Sequence, residues 1–246
     1  VNGAVLAVCV VHADVPFGRR AVIDSGIDKR PVEGAAGSGA CGTTPTRVRG
    51  ACGTTPTRVR GACGTTPIRV RVHELGIGGD HCRDTKFHGG LDQAVYAYDE
   101  REAQYWADQL GTPVPAGRFG ENLRTAGVPV TDAVIGSRWR VGTVTLEVTI
   151  ARKPCATFAR WMGEPGWIRR FTARGDVGAY LRVIEPGVLG SGDAVTVESV
   201  PEHGVTVRML FEGRDATAMQ TLLDEPGLAP KVYRDAAAAL KSSRRP

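Results

Sequence analysis

The chain lacks an apolar run long enough to cross a bilayer. Its longest N-terminal run, Ala4 to Val11, is about half the length that a spanning helix needs, and no basic leader or small-residue cleavage site accompanies it. A cytoplasmic protein with no membrane partner is therefore expected. A disulfide framework is also missing. Of the six cysteines in 246 residues, Cys41, Cys52 and Cys63 sit in copies of one repeat, and Cys9, Cys82 and Cys155 show no pairing pattern. Acidic residues are absent from 40–71, which holds Arg47, Arg49, Arg58, Arg60, Arg69 and Arg71; without those six the formal charge of +5 becomes −1. The positive balance thus belongs to one segment, and no specific nucleic-acid partner is expected.

That segment is a tandem repeat, ACGTTPTRVRG twice and then ACGTTPIRVR, in which Ile68 replaces Thr46 and Thr57. Each unit has glycine, a proline and at most two large aliphatic residues, too little apolar surface for a stacked solenoid. A surface loop is the expected outcome. Evenly spaced single cysteines are also a poor zinc pattern, since such sites draw on short-range pairs. Deleting Ala40 to Gly61 removes two whole units and is expected to leave the melting temperature unchanged. A large fall would show that the repeat packs on the core.

Outside the repeat the pattern is mainly β, with enough apolar residues for one substantial core. Ala4 to Val11, Ile68 to Val72, Ala94 to Tyr98, Trp139 to Val141, Thr143 to Ile150, Ala179 to Ile184 and Ala194 to Val200 read as strands. Val144, Leu146, Val148 and Ile150 share a face that should point inward. Asp99 is placed to cap a helix that Gly111 ends. Shorter helical patterns cover Ala156 to Met162 and Gly166 to Ala173. Beyond Phe211, Asp215 to Leu223 and Lys231 to Leu240 read as helices, so the expected division is a domain over 1–211 and a short helical appendage over 212–246.

Three stretches carry candidate chemistry. In IARKPC, Cys155 follows a proline where pairing should stop, and Arg152 and Lys153 precede it; nearby cations favour the reactive thiolate. An inert buried thiol is the commoner fate of such a residue. In GIGGDHCRDTKFHGGLDQAVYAY, Asp80, His81, Asp84 and His88 crowd together, and His81, Cys82 and His88 have the donor types for a metal. In GRFGENL, a glycine turn beside Arg118 and Asn122 could expose amides to an anion.

The order of HGGLDQAVYAY, PAGRFGENLRTAGV, IGSRWRVGTVTLEVTIARKPC and GVLGSGDAV resembles the MOSC family, named for the C-terminal domain of molybdenum cofactor sulfurases. The resemblance runs from about Val5 to Phe211 outside the repeat, and the tail is similar to that of a bacterial subfamily that reduces N-hydroxylated compounds. It implies a mainly β, barrel-like core with a few helices and a small C-terminal helical appendage, and a molybdenum cofactor whose metal is bound by Cys155. It further implies that His88, Gly89, Gly90, Gly120, Glu121, Asn122 and Arg152 line or shape the cofactor site. Gln93 stands where the family usually has lysine. The implied reaction takes a small N-hydroxylated substrate, a hydroxylamino purine or an amidoxime, to the amine or amidine. An external reductase or thiol then has to supply electrons, since the chain has no flavin or haem motif. A persulfide carrier using Cys155 and a non-catalytic cofactor-binding protein are the alternatives. Neither monomer nor dimer is favoured.

Overall fold

A computed structural model describes residues 2–13, 27–32, 68–80 and 89–243. The tandem repeat up to Pro67 lies outside them, as do His81, Cys82, Asp84 and His88. The strands are β1 (Asn2–Ala13), β2 (Asp28–Pro31), β3 (Arg69–His73), β4 (Gly76–Ile77), β5 (Val95–Asp99), β6 (Leu123–Ala126), β7 (Arg138–Val141), β8 (Val144–Ala151), β9 (Ala179–Glu185), β10 (Gly187–Gly190) and β11 (Ala194–Ser199). The α-helices are α1 (Glu100–Leu110), α2 (Ala156–Met162), α3 (Trp167–Arg174), α4 (Val207–Glu212), α5 (Ala216–Leu223) and α6 (Pro230–Ser243). A short 3-10 turn, Leu91–Gln93, precedes β5.

Seven strands close into a barrel in the order β11, β7, β8, β9, β5, β6 and β1, and β1 pairs back to β11. The long first strand makes this closure possible. Its start pairs with β11 at Asn2–Ala4, its middle with β6, and its end with β2 at Cys9–Ala13. One pairing in the barrel, β5 with β6, is parallel, and the crossover that such a pair needs includes α1. Asp99 caps α1 by accepting from the Arg101 amide, and Gly111 ends it in the left-handed region.

The barrel expectation is met, and β8 is buried on both its faces. Val144, Leu146, Val148 and Ile150 are buried, but so are Thr145, Glu147, Thr149 and Ala151 on the other face of β8. That outer face is covered because α4 and α6 pack on β8. Its polar groups are satisfied there: Glu147 pairs with Arg182 at 2.7 Å, and the Thr149 hydroxyl donates to the Asp92 carbonyl at 2.6 Å. The three helices α4 to α6 therefore continue the barrel's covering layer, and α4 spans the expected boundary at 211/212.

Aromatic residues are few, at 6% of the chain, but they are concentrated. Tyr98, Trp106, Phe119, Phe158, Trp167 and Phe171 form one buried cluster that binds α1, α2 and α3 to the barrel. Beside it, Glu102 on α1 has one carboxylate oxygen sealed from solvent with no hydrogen-bond partner among the described residues. Burial pushes its carboxyl from 4.5 up to about 8, against the opposing effect of a Thr131 hydrogen bond. The folded protein then holds a proton that the unfolded chain has released, so this group makes stability fall between about pH 4.5 and pH 8. Glu102→Gln is expected to raise the melting temperature by several degrees at pH 8 and hardly at all at pH 5. Equal shifts at both values would mean that Glu102 is already charged in the fold.

Candidate functional site

The strand β8 ends at Ala151, and Cys155 is the residue that opens α2, with extended backbone at φ −126° and ψ 172°. Proline at 154 cannot extend the ladder, so the chain turns outward there. Cys155 is half-buried, and among the described residues no disulfide joins it or Cys9. The two thiols differ sharply. Cys9 is fully buried; burial first, and then the Glu121 carboxylate, push its thiol up to about 12. Such a thiol stays neutral and inert.

Arg152 is buried, yet charged. Its guanidinium lies 3.7 Å from the centre of the Phe158 ring and 5.2 Å from that of Tyr96, and it donates to the Phe119 carbonyl. Burial works against its charge, while Tyr96, Tyr180 and Cys155 work for it, and the net shift is upward. The guanidinium thus bears electrostatically on Cys155 and also fastens it to the FGEN turn. Lys153 points elsewhere, to Asp235 of α6 at 2.9 Å. Of the two cations preceding the thiol, one interacts with it electrostatically and one anchors the tail.

The GRFGENL turn is built differently from an anion cradle. The Gly117 and Phe119 amides donate to the two oxygens of Glu121, at 2.8 and 2.9 Å. The Arg118 and Gly120 amides donate to the Pro115 and Gly117 carbonyls. These four amides are engaged within the turn, so at these positions it is a plain turn, which the same residues equally allow, and not a cradle of exposed donors. Glu121 is fully buried and also accepts from the Arg124 guanidinium, at 2.9 Å from Nε. It shapes the turn from within. At Gly120, φ is +73°. Gly117 is at +88°, and a Cβ there would come within 2.1 Å of the Lys29 carbonyl oxygen.

Asn122 joins three segments. Its side-chain oxygen accepts from the Tyr96 amide at 3.0 Å, and its nitrogen donates to the Cys9 carbonyl at 3.2 Å and to Asp80 at 2.7 Å. Asp80 also accepts from the Val11 amide at 3.0 Å and from Lys29 at 2.6 Å. Asp80 is therefore engaged in holding β1, β2 and the FGEN turn together.

Gly89 and Gly90, at φ 73° and 81°, form the turn just before the 3-10 segment. The ammonium of Lys231, at the start of α6, donates to the Gly89 carbonyl at 2.6 Å and to the Gln93 side chain. A cation does reach position 93, from the opposite end of the sequence. No motif pointed to Lys231, nor to Lys29 and Asp235; the pairing becomes visible only once α6 is docked on β8. Among the described residues there is no cluster of three or more metal-ligating side chains. The proposed ligand set His81, Cys82 and His88 lies outside them, as does the expected site residue His88.

A closed seven-stranded barrel carrying its cysteine at a strand-to-helix turn, with a glycine turn and an FGEN turn held nearby, defines the class of this protein. The MOSC domain pattern matches residues 84–196, and the chain belongs to the MOSC domain family. It is 30% identical over 156 residues to YflK of Bacillus subtilis, a match covering 61% of this chain and 71% of that protein. It is 28% identical over 130 residues to a protein of Gibberella moniliformis named as a reductase, covering 51% of this chain but 23% of that one. The crystal structure of YiiM from Geobacillus stearothermophilus shares the fold at a TM-score of 0.67 with 21% identity, covering 97% of this chain and 99% of that one.

Proposed function

We propose that this protein binds a molybdenum cofactor through Cys155 and reduces N-hydroxylated small molecules. The observation that carries the reading is the placement of Cys155, a half-buried thiol outside the barrel ladder with the buried charge of Arg152 acting on it. A fixed cation favours the thiolate, the form that ligates metal, and sulfur is a soft donor suited to molybdenum. The donor set suits the group in a second respect. Lys231 lies beside the Gly89–Gly90 turn, and among the described residues nothing would meet a Cβ at Gly90 within 4 Å, so a cation and an open approach lie together where a phosphate could sit.

When bound, the cofactor supplies the two-electron redox chemistry that the side chains lack. The net change is R–NHOH plus two electrons and two protons to R–NH2 plus water. This chain's residues hold and orient: Cys155 would anchor the metal, Arg152 would place a positive charge near it while fixing the Phe119 turn, and Asn122 would hold that turn to β5. Electrons come from an external reductase or thiol. Family membership and the reductase name of one relative support an oxidoreductase reading, and the substrate class is the one that the resemblance of the tail implies.

The test is to purify the protein from a host that makes the cofactor, to measure molybdenum and pterin, and then to assay reduction of a hydroxylamino purine and an amidoxime. Stoichiometric molybdenum with turnover is expected. Molybdenum without turnover on either substrate would leave a cofactor-binding protein. Absence of both metal and pterin would end the reading in favour of a sulfur carrier.

A further inference from the structure

The C-terminal helix α6 reaches the candidate site at two places. Its residue Lys231 is fixed at both ends: the backbone amide donates to the buried Asp92 carboxylate at 2.8 Å, and the ammonium donates to the Gly89 carbonyl at 2.6 Å and to Gln93. One helical turn later, Asp235 pairs with Lys153, two residues before Cys155, at 2.9 Å. Positions four apart share a helix face. A single face of α6 therefore grips both the Gly89–Gly90 turn and the strip that ends at Cys155.

The glycine turn needs such a grip. Glycine reaches positive φ without strain, but for the same reason two in a row hold no shape of their own. Gly90 is exposed. Within the turn, the Gln93 amide donates to the Gly90 carbonyl at 3.0 Å; from outside it, Lys231 adds a charge-assisted bond, the stronger kind.

We propose that Lys231 is a positioning residue of the candidate site. It fixes the Gly89–Gly90 turn through the Gly89 carbonyl and Gln93, and so presents the turn in the shape that receives the anionic end of the bound group. This rests on the cofactor reading above, in which that end is the pterin phosphate. The C-terminal helices are then a working wall of the site.

Lys231→Met keeps the stem and removes the charge, and Lys231→Arg returns it. In the cofactor-free full chain, hydrogen exchange at the amides from Gly90 to Gln93 is expected to quicken in Lys231→Met by roughly tenfold to a hundredfold, the worth of one charged hydrogen bond. Exchange should return toward wild type in Lys231→Arg. In protein from a cofactor-producing host, molybdenum and pterin retained after dialysis should fall and recover in the same order. Leu240→Ala, which loosens the packing of α6, serves as the control for general destabilisation. Wild-type exchange at this turn in Lys231→Met overturns the proposal, and so does cofactor loss that merely follows melting temperature across Lys231→Met and Leu240→Ala. If the wild type itself carries no molybdenum or pterin, the cofactor reading fails separately, and the exchange measurement alone decides whether Lys231 sets the turn.

Discussion

Cys155→Ala from a cofactor-producing host is expected to be folded, to melt within a few degrees of the wild type, and to contain no molybdenum. The small change in stability follows from position: the residue is half-buried where β8 has already ended, so few core contacts are lost. The large change in metal follows from its being the proposed ligand. Alkylation with mass spectrometry gives a second view on the wild type. Cys155 should label in cofactor-free protein and be protected once molybdenum cofactor is bound, while Cys9, buried with its thiol pushed up to about 12, should not label in either form. Wild-type molybdenum content in Cys155→Ala would remove this thiol as the ligand.

Glu121→Ala should have the largest effect on stability. The change would leave the Arg124 guanidinium, whose side chain is 1% exposed, without its buried partner, and would leave the Gly117 and Phe119 amides without acceptors. Breaking a buried ion pair from one side costs about 3–5 kcal/mol, which for a domain of this size lowers the melting temperature by roughly 6–20 °C. Glu121→Gln keeps an acceptor and should fall between the two. Thermal or urea melts check the order, and a fall of less than a few degrees in the alanine variant would show that the turn does not depend on this carboxylate.

The sequence made some of this arrangement plain and concealed the rest, for physical reasons. Strands such as β8 and helices such as α1 were legible because apolar period and caps are local. The fully buried outer face of β8 was not, since Thr145, Glu147 and Thr149 look like solvent residues until α4 and α6 cover them. β10 was hidden in a stretch whose glycines read as turns; its partner β3 lies over a hundred residues earlier, and local pattern carries no trace of that pairing. In the site, FGEN was recognisable as a turn, but composition could not tell whether its amides face out to an anion or in to Glu121. Lys231 and Asp235 were invisible as site residues because lysines and aspartates on a C-terminal helix ordinarily face water.

The way β1 is shared among β2, β6 and β11 also dictates when the protein can finish folding. The opening segment of β1 must wait for Ala194–Thr196, far later in the chain, before it finds that partner. On a ribosome, the barrel cannot shut until Ala194–Thr196 have emerged, and until then the start of β1 is an unpaired edge open to wrong partners. Contacts this distant in sequence make for slow closure. Lengthening the intervening chain by duplicated repeat units adds only a fraction of a kcal/mol to the entropy of that closure, because the penalty grows with the logarithm of loop length. A late-closing barrel is therefore insensitive to how much chain is threaded between its early and late strands.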